Sequence, residues 1–381
     1  MKKWILLLYL FTACIKVGQA QIIVSPEVVL SLPNSISESS GLIFWGSDSL
    51  LTHNDSGNKA KLYWLDTLGE LLQAYDLSER IKVDDWEELT KDDNGNLYLG
   101  DFGNNDNLRQ NLRIFKIFGN LDKPNSLKID TISFTYEDQL SFPPPSSFLH
   151  FDCEAFVSLG DSLYLFTKDR TSPYKSECRM YVLSNKKGTH IAKYKSSFNT
   201  GLGSLFLGSV TGAALSPQKN ALILIGYARM WLFKNFTSND FFDVEPIVFQ
   251  YSDFSQKEAV AFQDSSTIYL TDESSILTGN PGRLFKLSLN QPITSTTDDN
   301  GHKIQCFVFH ESDEISIQLN SKARECVFYS AMGKIIRKAR FSQQGNHWVA
   351  KYNPGFLSPQ SIFYSVISEN GTILASGKLI H

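Results

Sequence analysis

Five stretches of this 381-residue chain place a small or acidic side chain at the head of an otherwise apolar run. They are ESSGLIF (38–44), DWEELTK (85–91), DCEAFVS (152–158), VTGAALS (210–216) and KEAVAFQ (257–263). In register, the heads are Ser40, Glu87, Glu154, Thr211 and Glu258. Three carboxylates and two hydroxyls make an all-oxygen donor set, which suits Ca2+ better than zinc. Carboxylates brought together at ~5 Å repel by about 3 kcal/mol per pair at an effective dielectric of ~20. A cation, a basic side chain or protonation with raised pKa values must offset that. The residues leave three readings open: a metal site, pairing with Lys or Arg, and catalytic carboxylates.

A second set of polar residues ends the strand that follows each head. Asn54, Asp55, Asp101, Asn104, Lys168 and Asp272 form a wider ring around the same mouth, and Asn54, Asp55, Asn104, Lys168 and Asp272 are candidate ligand contacts. His53 and Asp101 are the candidate bases, although a histidine in a polar turn is more often incidental. Arg109 and Lys168 could hold an anionic group or balance nearby acids. Trp64, Trp86 and Trp231 read as packing. No GxSxG, HExxH or phosphate loop occurs.

The elements that must position these residues repeat about every 54 residues. Each copy is a short apolar strand, a turn of Gly, Asp, Asn, Ser or Pro, and a second strand. A third strand follows (KLYWLD, LRIFKIF, MYVLS, MWLFK, RLFKLSL), then a fourth (LLQAYDL, TISFTY, HIAKYK, PIVFQY). The fifth copy lacks a fourth strand, and EVVLSLP (27–33) supplies it from the other end of the chain. The expected fold is therefore all-β: a five-bladed β-propeller (21–290) with a latched ring, followed by a small C-terminal β-sandwich. Each inner strand then begins at one shared mouth, which the insertions 139–150 and 196–209 wall.

Residues 1–20, MKKWILLLYLFTACIKVGQA, have the lysine, apolar and small-residue order of a secretory signal peptide. Residues 21–300 hold 24 Lys/Arg against 35 Asp/Glu, a net −11. Residues 301–381 hold nine against five, a net +4. The acidic part disfavours nucleic acid and suits a cation. Cys153, Cys178, Cys306 and Cys326 show no zinc-like spacing. Residues 291–303 read as a polar linker, and 304–381 alternate in the manner of a β-sandwich. The partners expected are an extracellular small molecule or protein, met in the medium or at the cell surface.

The order Ser, Glu, Glu, Thr, Glu, one per blade, resembles the calcium site of the soluble calcium-activated nucleotidases, the apyrases. ESSGLIF with LLTHNDSGN is similar to that family's first blade, and NLYLGDFG to its second. The resemblance implies that Ser40, Glu87, Glu154, Thr211 and Glu258 are the calcium shell. Thr211 stands where that family has serine, and the mouth has no evident set of arginines for phosphate. The likeness therefore bears on the metal more than on the reaction. Ligand recognition and metal-assisted hydrolysis, apyrase-like or lactonase-like, both remain open. VFYSAMGKIIRKARF and SIFYSVISENGTILASGKLIH resemble the C-terminal sorting domain of type IX secretion substrates. Gly333-Lys334, Phe363-Tyr364 and Lys378-Leu379-Ile380 occupy its turn, late aromatic strand and terminal tag. That resemblance implies export by type IX machinery through the periplasm, with at most a peripheral place on the outer membrane.

Overall fold

The computed structural model describes residues 22–201, 203–236, 239–274 and 281–289, and in the C-terminal part 306–311, 314–319, 322–330, 335–344, 347–353, 362–369, 371 and 373–379. Residues 1–20, read as a signal peptide, the stretch 291–303, read as a linker, Gly333-Lys334 and Ile380 lie outside them. The chain divides into a unit over Ile22–Ile293 and another from Thr294 on.

In the first unit, β1 (Ile22–Val24) and β2 (Glu27–Ser31) precede the blades. Blade one is β3 (Ser39–Phe44), β4 (Ser49–Asn54), β5 (Lys61–Asp66) and β6 (Leu71–Asp76). Blade two is β7 (Trp86–Lys91), β8 (Leu97–Asp101), β9 (Arg113–Phe118) and β10 (Lys128–Tyr136). Blade three is β11 (Asp152–Leu159), β12 (Ser162–Lys168), β13 (Glu177–Ser184) and β14 (Gly188–Asn199). Blade four is β15 (Gly212–Leu215), β16 (Ala221–Ile225), β17 (Arg229–Lys234) and β18 (Ile247–Tyr251). Blade five is β19 (Lys257–Phe262), β20 (Thr267–Asp272) and β21 (Arg283–Ser288), completed by β2, which pairs antiparallel with β21. Each inner strand packs on its two neighbours in the cycle β3, β7, β11, β15, β19 and back to β3. That closed cycle makes the unit a five-bladed propeller.

Burial follows the same cycle. One apolar cluster lies between each pair of adjacent blades, such as Leu51 and Leu62 against Trp86 and Leu99, or Leu42 and Leu50 against Ala259 and Leu284. Each blade is therefore buried on both faces, which is why β4, β8 and β16 are buried at every position. Trp86 and Trp231 are core residues of this kind, and Trp64 stacks on Tyr75. Two pairings go beyond the repeat. The outer strands β10 and β14 pair in parallel and fuse blades two and three into an eight-stranded sheet, and β1 pairs in parallel with β18. Both cover outer edges that would otherwise present unpaired N–H and C=O groups.

The C-terminal unit comprises β22 (Cys306–Glu311), β23 (Glu314–Leu319), β24 (Glu325–Ser330), β25 (Ile335–Arg340), β26 (Ser342–Gln344), β27 (His347–Tyr352), β28 (Ile362–Ile367) and β29 (Ile373–Leu379). They form two four-stranded sheets, β22-β23-β27-β26 and β25-β24-β28-β29. Ile317, Leu319 and Ala350 of one sheet pack with Phe328, Tyr364 and Val366 of the other, and Phe328 stacks on Tyr352 at 4.5 Å. This is a β-sandwich.

The latch supplies more than a backbone ladder, because Leu32 and Ile36 behind it are buried in the cluster between blades five and one. Deleting residues 22–36 should abolish the cooperative thermal transition and the near-UV CD of the propeller. A soluble deletion variant that melts within a few degrees of the parent would show that the ring closes without it.

Candidate functional site

The head residues reach the mouth through a repeated irregularity. In blade one the β3–β4 register steps from Ser39 to Gly41 and skips Ser40. The same step skips Glu87 in blade two, Glu154 in blade three and Glu258 in blade five. A β-bulge leaves one residue unpaired and re-aims its side chain, so four of the five heads are bulge residues. Thr211 lies just before β15 and donates its N–H to Ile225 O at 2.8 Å. All five are at least nine-tenths buried.

The next position is Gly41, Glu88, Ala155, Gly212 and Ala259. Four small residues leave axial room that one glutamate fills. Glu88 is fully buried and spans from blade two to blade four, with Oε1 accepting from Leu89 N (2.9 Å) and Oε2 from Ala213 N (3.1 Å). Burial pushes this carboxyl well above its ordinary range, against the pull of those amides. A β-carbon on Gly41 would come within 2.6 Å of Leu89 N and 2.7 Å of His53 Nε2, so glycine is required there.

The ring itself divides. Ser40 Oγ donates to the Glu87 carbonyl, and Thr211 Oγ1 to the Lys257 carbonyl at 2.6 Å, so both hydroxyl protons bridge to the next blade. Glu154 Oε1 accepts from Lys168 Nζ (2.9 Å) and Arg170 Nη2 (3.3 Å). Burial lifts the Glu154 carboxyl to about 8 despite both cations. Burial draws the Lys168 ammonium down, but Glu154, Tyr227 and Glu258 together hold it well above its ordinary value. Lys168 Nζ also lies 5.6 Å from the Tyr227 ring centre. Lys168 thus supplies the charge facing Glu154 and Glu258. Pairing with a basic side chain is what the structure shows on that side of the ring.

Glu87 belongs to a different group. Carboxylate oxygens of Asp55, Asp85 and Glu87 lie within 4.8 Å of one another. Among the described residues, none of the three makes an ion pair. Burial lifts Asp55 to about 6, with Asp85 and Glu38 adding to it. Burial also raises Asp85, against Arg109, whose own N–H groups go to Gly103 O and Asp101. Glu87 is pushed well above the carboxylate range by burial, then by Glu154, Asp55 and Asp85. Gly103 holds the group together, because a β-carbon there would overlap Glu87 Oε1 and Asp85 Oδ2. Oxygens around one Ca2+ lie at most ~5 Å apart, twice a Ca–O distance of ~2.5 Å. The three oxygens fall within that limit, and an all-carboxylate set suits a hard cation such as Ca2+.

No family model matches this sequence, and no curated protein matches it. In backbone the chain is similar to the PQQ-bound aldose sugar dehydrogenase from Streptomyces coelicolor, at 12% identity and TM-score 0.44, over 69% of this chain and 98% of that one. It is also similar to a gluconolactonase from Xanthomonas campestris, at 11% identity and TM-score 0.36, over 71% and 96%. A virginiamycin B lyase from Staphylococcus aureus aligns at 11% identity and TM-score 0.31, over 84% and 97%. The propeller assignment and the site rest on this chain's own pairings and contacts.

Several candidates are closed off by protein partners. Asp101 is fully buried and held by Arg109 (3.0 Å), Arg113 (2.8 Å) and Asp85 N (2.8 Å), so it is a strut rather than an available base. His53 is buried behind the mouth, with Nδ1 2.9 Å from Asn54 O and its ring edge-to-face with Trp86. Burial lowers it to about 4, and it faces no solvent. Asp272 accepts from Arg283 N (2.7 Å) and Nε (3.0 Å). Asn54 ties Ser35 O to Glu38 N, and Asn104 ties Phe151 O to Arg109 N. Asp55 alone of the wider ring joins the acid group. Asp85 was missed, although a signal for it existed. Two positions before the first three heads stand Glu38, Asp85 and Asp152, an acidic column visible once the blades are aligned.

The raised carboxyls set a pH dependence. A carboxyl with a raised folded pKa favours folding below its unfolded pKa and loses that contribution as pH rises through the folded value. Glu273, lifted to about 7, and Glu154, lifted to about 8, both by burial, therefore lower stability between pH 6.5 and 8. His53 and His150, lowered by burial to about 4, oppose this trend only weakly, because their unfolded imidazoles are about half protonated at pH 6.5 and take up most of their protons below it. Chelator-treated protein should melt several degrees higher at pH 6.5 than at pH 8 in scanning calorimetry. An equal or lower melting temperature at pH 6.5 would mean that these carboxyls are not desolvated.

Proposed function

We propose that this is an exported, cell-surface or secreted propeller that holds a calcium ion at its acidic mouth and recognises an extracellular ligand there. The observation that carries the reading is the group Asp55, Asp85 and Glu87, three hard oxygen donors within 4.8 Å of one another against the Gly103 cradle. These residues would hold the ion, which would supply positive charge to orient anionic or hydroxyl groups of a ligand. The shell differs from the five-residue ring that the apyrase resemblance implies. Glu87 is shared, Asp55 and Asp85 replace the rest, and Glu154 and Glu258 face Lys168. Hydrolysis is the weaker reading, because the candidate bases His53 and Asp101 are both enclosed by protein.

The experiment is a melting series with Ca2+ and with chelator. A ligand that binds only the folded state raises stability by mass action, by about 2.7 kcal/mol at a hundred times its Kd. Glu87→Gln should lose the calcium response while melting higher than wild type in chelator, since it removes self-repulsion. Gly103→Ala should lose the response by displacing two of the three ligands. Glu154→Gln should keep the calcium response but lower stability with and without Ca2+, because it strands the buried Lys168. A wild type whose melting is indifferent to chelator would overturn the calcium reading.

Export rests on the C-terminal resemblance, carried by the sandwich and its late aromatic strand β28. Removing residues 304–381 should leave a folded propeller that accumulates in the periplasm of the native host. Its undiminished appearance in the medium or at the surface would remove the type IX assignment.

A further inference from the structure

The acidic mouth is one end of the axis. At the other end, the ends of the five inner strands line a second, partly open cavity of about 230 Å3. Every blade contributes at this level: Phe44, Lys91, Ser158, Leu215 and Phe262. At about 30 Å3 per water, the volume corresponds to roughly eight waters, or to a ligand of similar heavy-atom count. Its inner wall is apolar, with Leu89 and Ala213 nearly fully buried.

Five polar side chains share that lining, Thr90, Lys91, Ser158, Lys219 and Gln263, and the contacts of three of them bear on what the cavity can hold. Ser158 Oγ is buried and pairs with no described protein group, which is costly for a hydroxyl unless something in the cavity meets it. Lys91 Nζ donates to Phe44 O at 2.7 Å, one of its three protons. Lys219 Nζ reaches only the exposed Asp93, at 3.4 Å. Burial and then Lys219 draw the Lys91 ammonium below its ordinary value, so an anion beside it would be welcome. No carboxylate lines the cavity. Glu88 lies behind the wall with its oxygens on the Leu89 and Ala213 amides.

We propose that this cavity binds a small amphipathic carboxylate, with its apolar body between Leu89 and Ala213 and its carboxylate on Lys91, Lys219 and Ser158. A phosphate would bring more charge than one spare ammonium, one screened ammonium and one hydroxyl can solvate. A neutral body of the same shape would leave Ser158 and Lys91 as they are. The site is separate in place and chemistry from the calcium reading and does not depend on it.

The test is isothermal titration of the full chain at pH 7 with hexanoate, hexanol, acetate and inorganic phosphate. Hexanoate should bind at least about tenfold more tightly than each of the other three, since a charged hydrogen bond is worth at least a factor of ten. Lys91→Met should weaken hexanoate by about tenfold or more and leave hexanol unchanged. Ser158→Ala should fold at least as stably as wild type, because it deletes an orphan hydroxyl, and should also weaken hexanoate. Chelator and Glu87→Gln should leave hexanoate binding untouched, so the fate of the calcium site does not decide this one. No hexanoate binding, hexanol or phosphate binding as tightly, or a Lys91→Met variant that binds hexanoate as wild type does would each overturn the proposal.

Discussion

A carboxylate moved from water into a strand-lined channel loses hydration worth several kcal/mol, and it stays charged only where a cation or aligned donors replace that hydration. The propeller mouth meets this constraint separately for each acid it buries. Asp101 takes two arginines, Asp152 takes Arg170 Nε at 2.6 Å together with Asn104 N, and Asp272 takes Arg283. Glu154 takes Lys168, while Glu88 has backbone amides alone. These solutions also join parts of the ring. Asp152 of blade three fixes the loop after β8 of blade two, and Glu88 crosses the axis to blade four. Once those acids are matched, Asp55, Asp85 and Glu87 stand out as the group whose charge the protein does not neutralise directly.

The bulges explain how such different acids occupy equivalent places without disturbing the blades. A regular inner strand would alternate its side chains between the two neighbouring blades, where apolar clusters leave no room for a carboxylate. Skipping one residue at the head frees that side chain to face the axis, and the ladder resumes one residue later with its apolar alternation intact. The position after the bulge then approaches the axis so closely that four blades use Gly or Ala. The fifth uses Glu88, which fits only because the others are small.

The architecture was readable in the sequence because it rests on local, repeated signals. Alternation, turn residues and a period near 54 sufficed to place five blades, and the orphan strand at 27–33 found its partner by elimination. The C-terminal sandwich followed from the same alternation. Head residues were legible as a column for the same reason. What the sequence did not disclose is which cation each acid meets. Lys168 and Arg170 reach Glu154 from the far end of the neighbouring strand, and that depends on side-chain reach and direction rather than spacing. For this reason a symmetric five-residue shell was expected where the structure has a lysine on one side and an acid group on the other. The parallel pairing of β10 with β14 was also hidden, because outer strands carry weak patterning and their partners are set by blade packing.

Because each blade contributes one residue per level, the axis can be read as a stack of independent layers. The top layers hold Glu38, Asp85 and Asp152, then the head ring. The next layer is small except for Glu88. The layers below are apolar, and the last is Phe44, Lys91, Ser158, Leu215 and Phe262. The buried acids thus gather at one end of the channel, while Lys91 stands at the other. Burial holds the Glu88 carboxyl well above its ordinary range, and in the layer between the ends its oxygens accept from the Leu89 and Ala213 amides. A layer that Glu88 spans from blade two to blade four separates the acidic mouth from the end where Lys91 stands. It also needs no change in the blades to do so, since substitution within one layer leaves the ladders of all five sheets as they are.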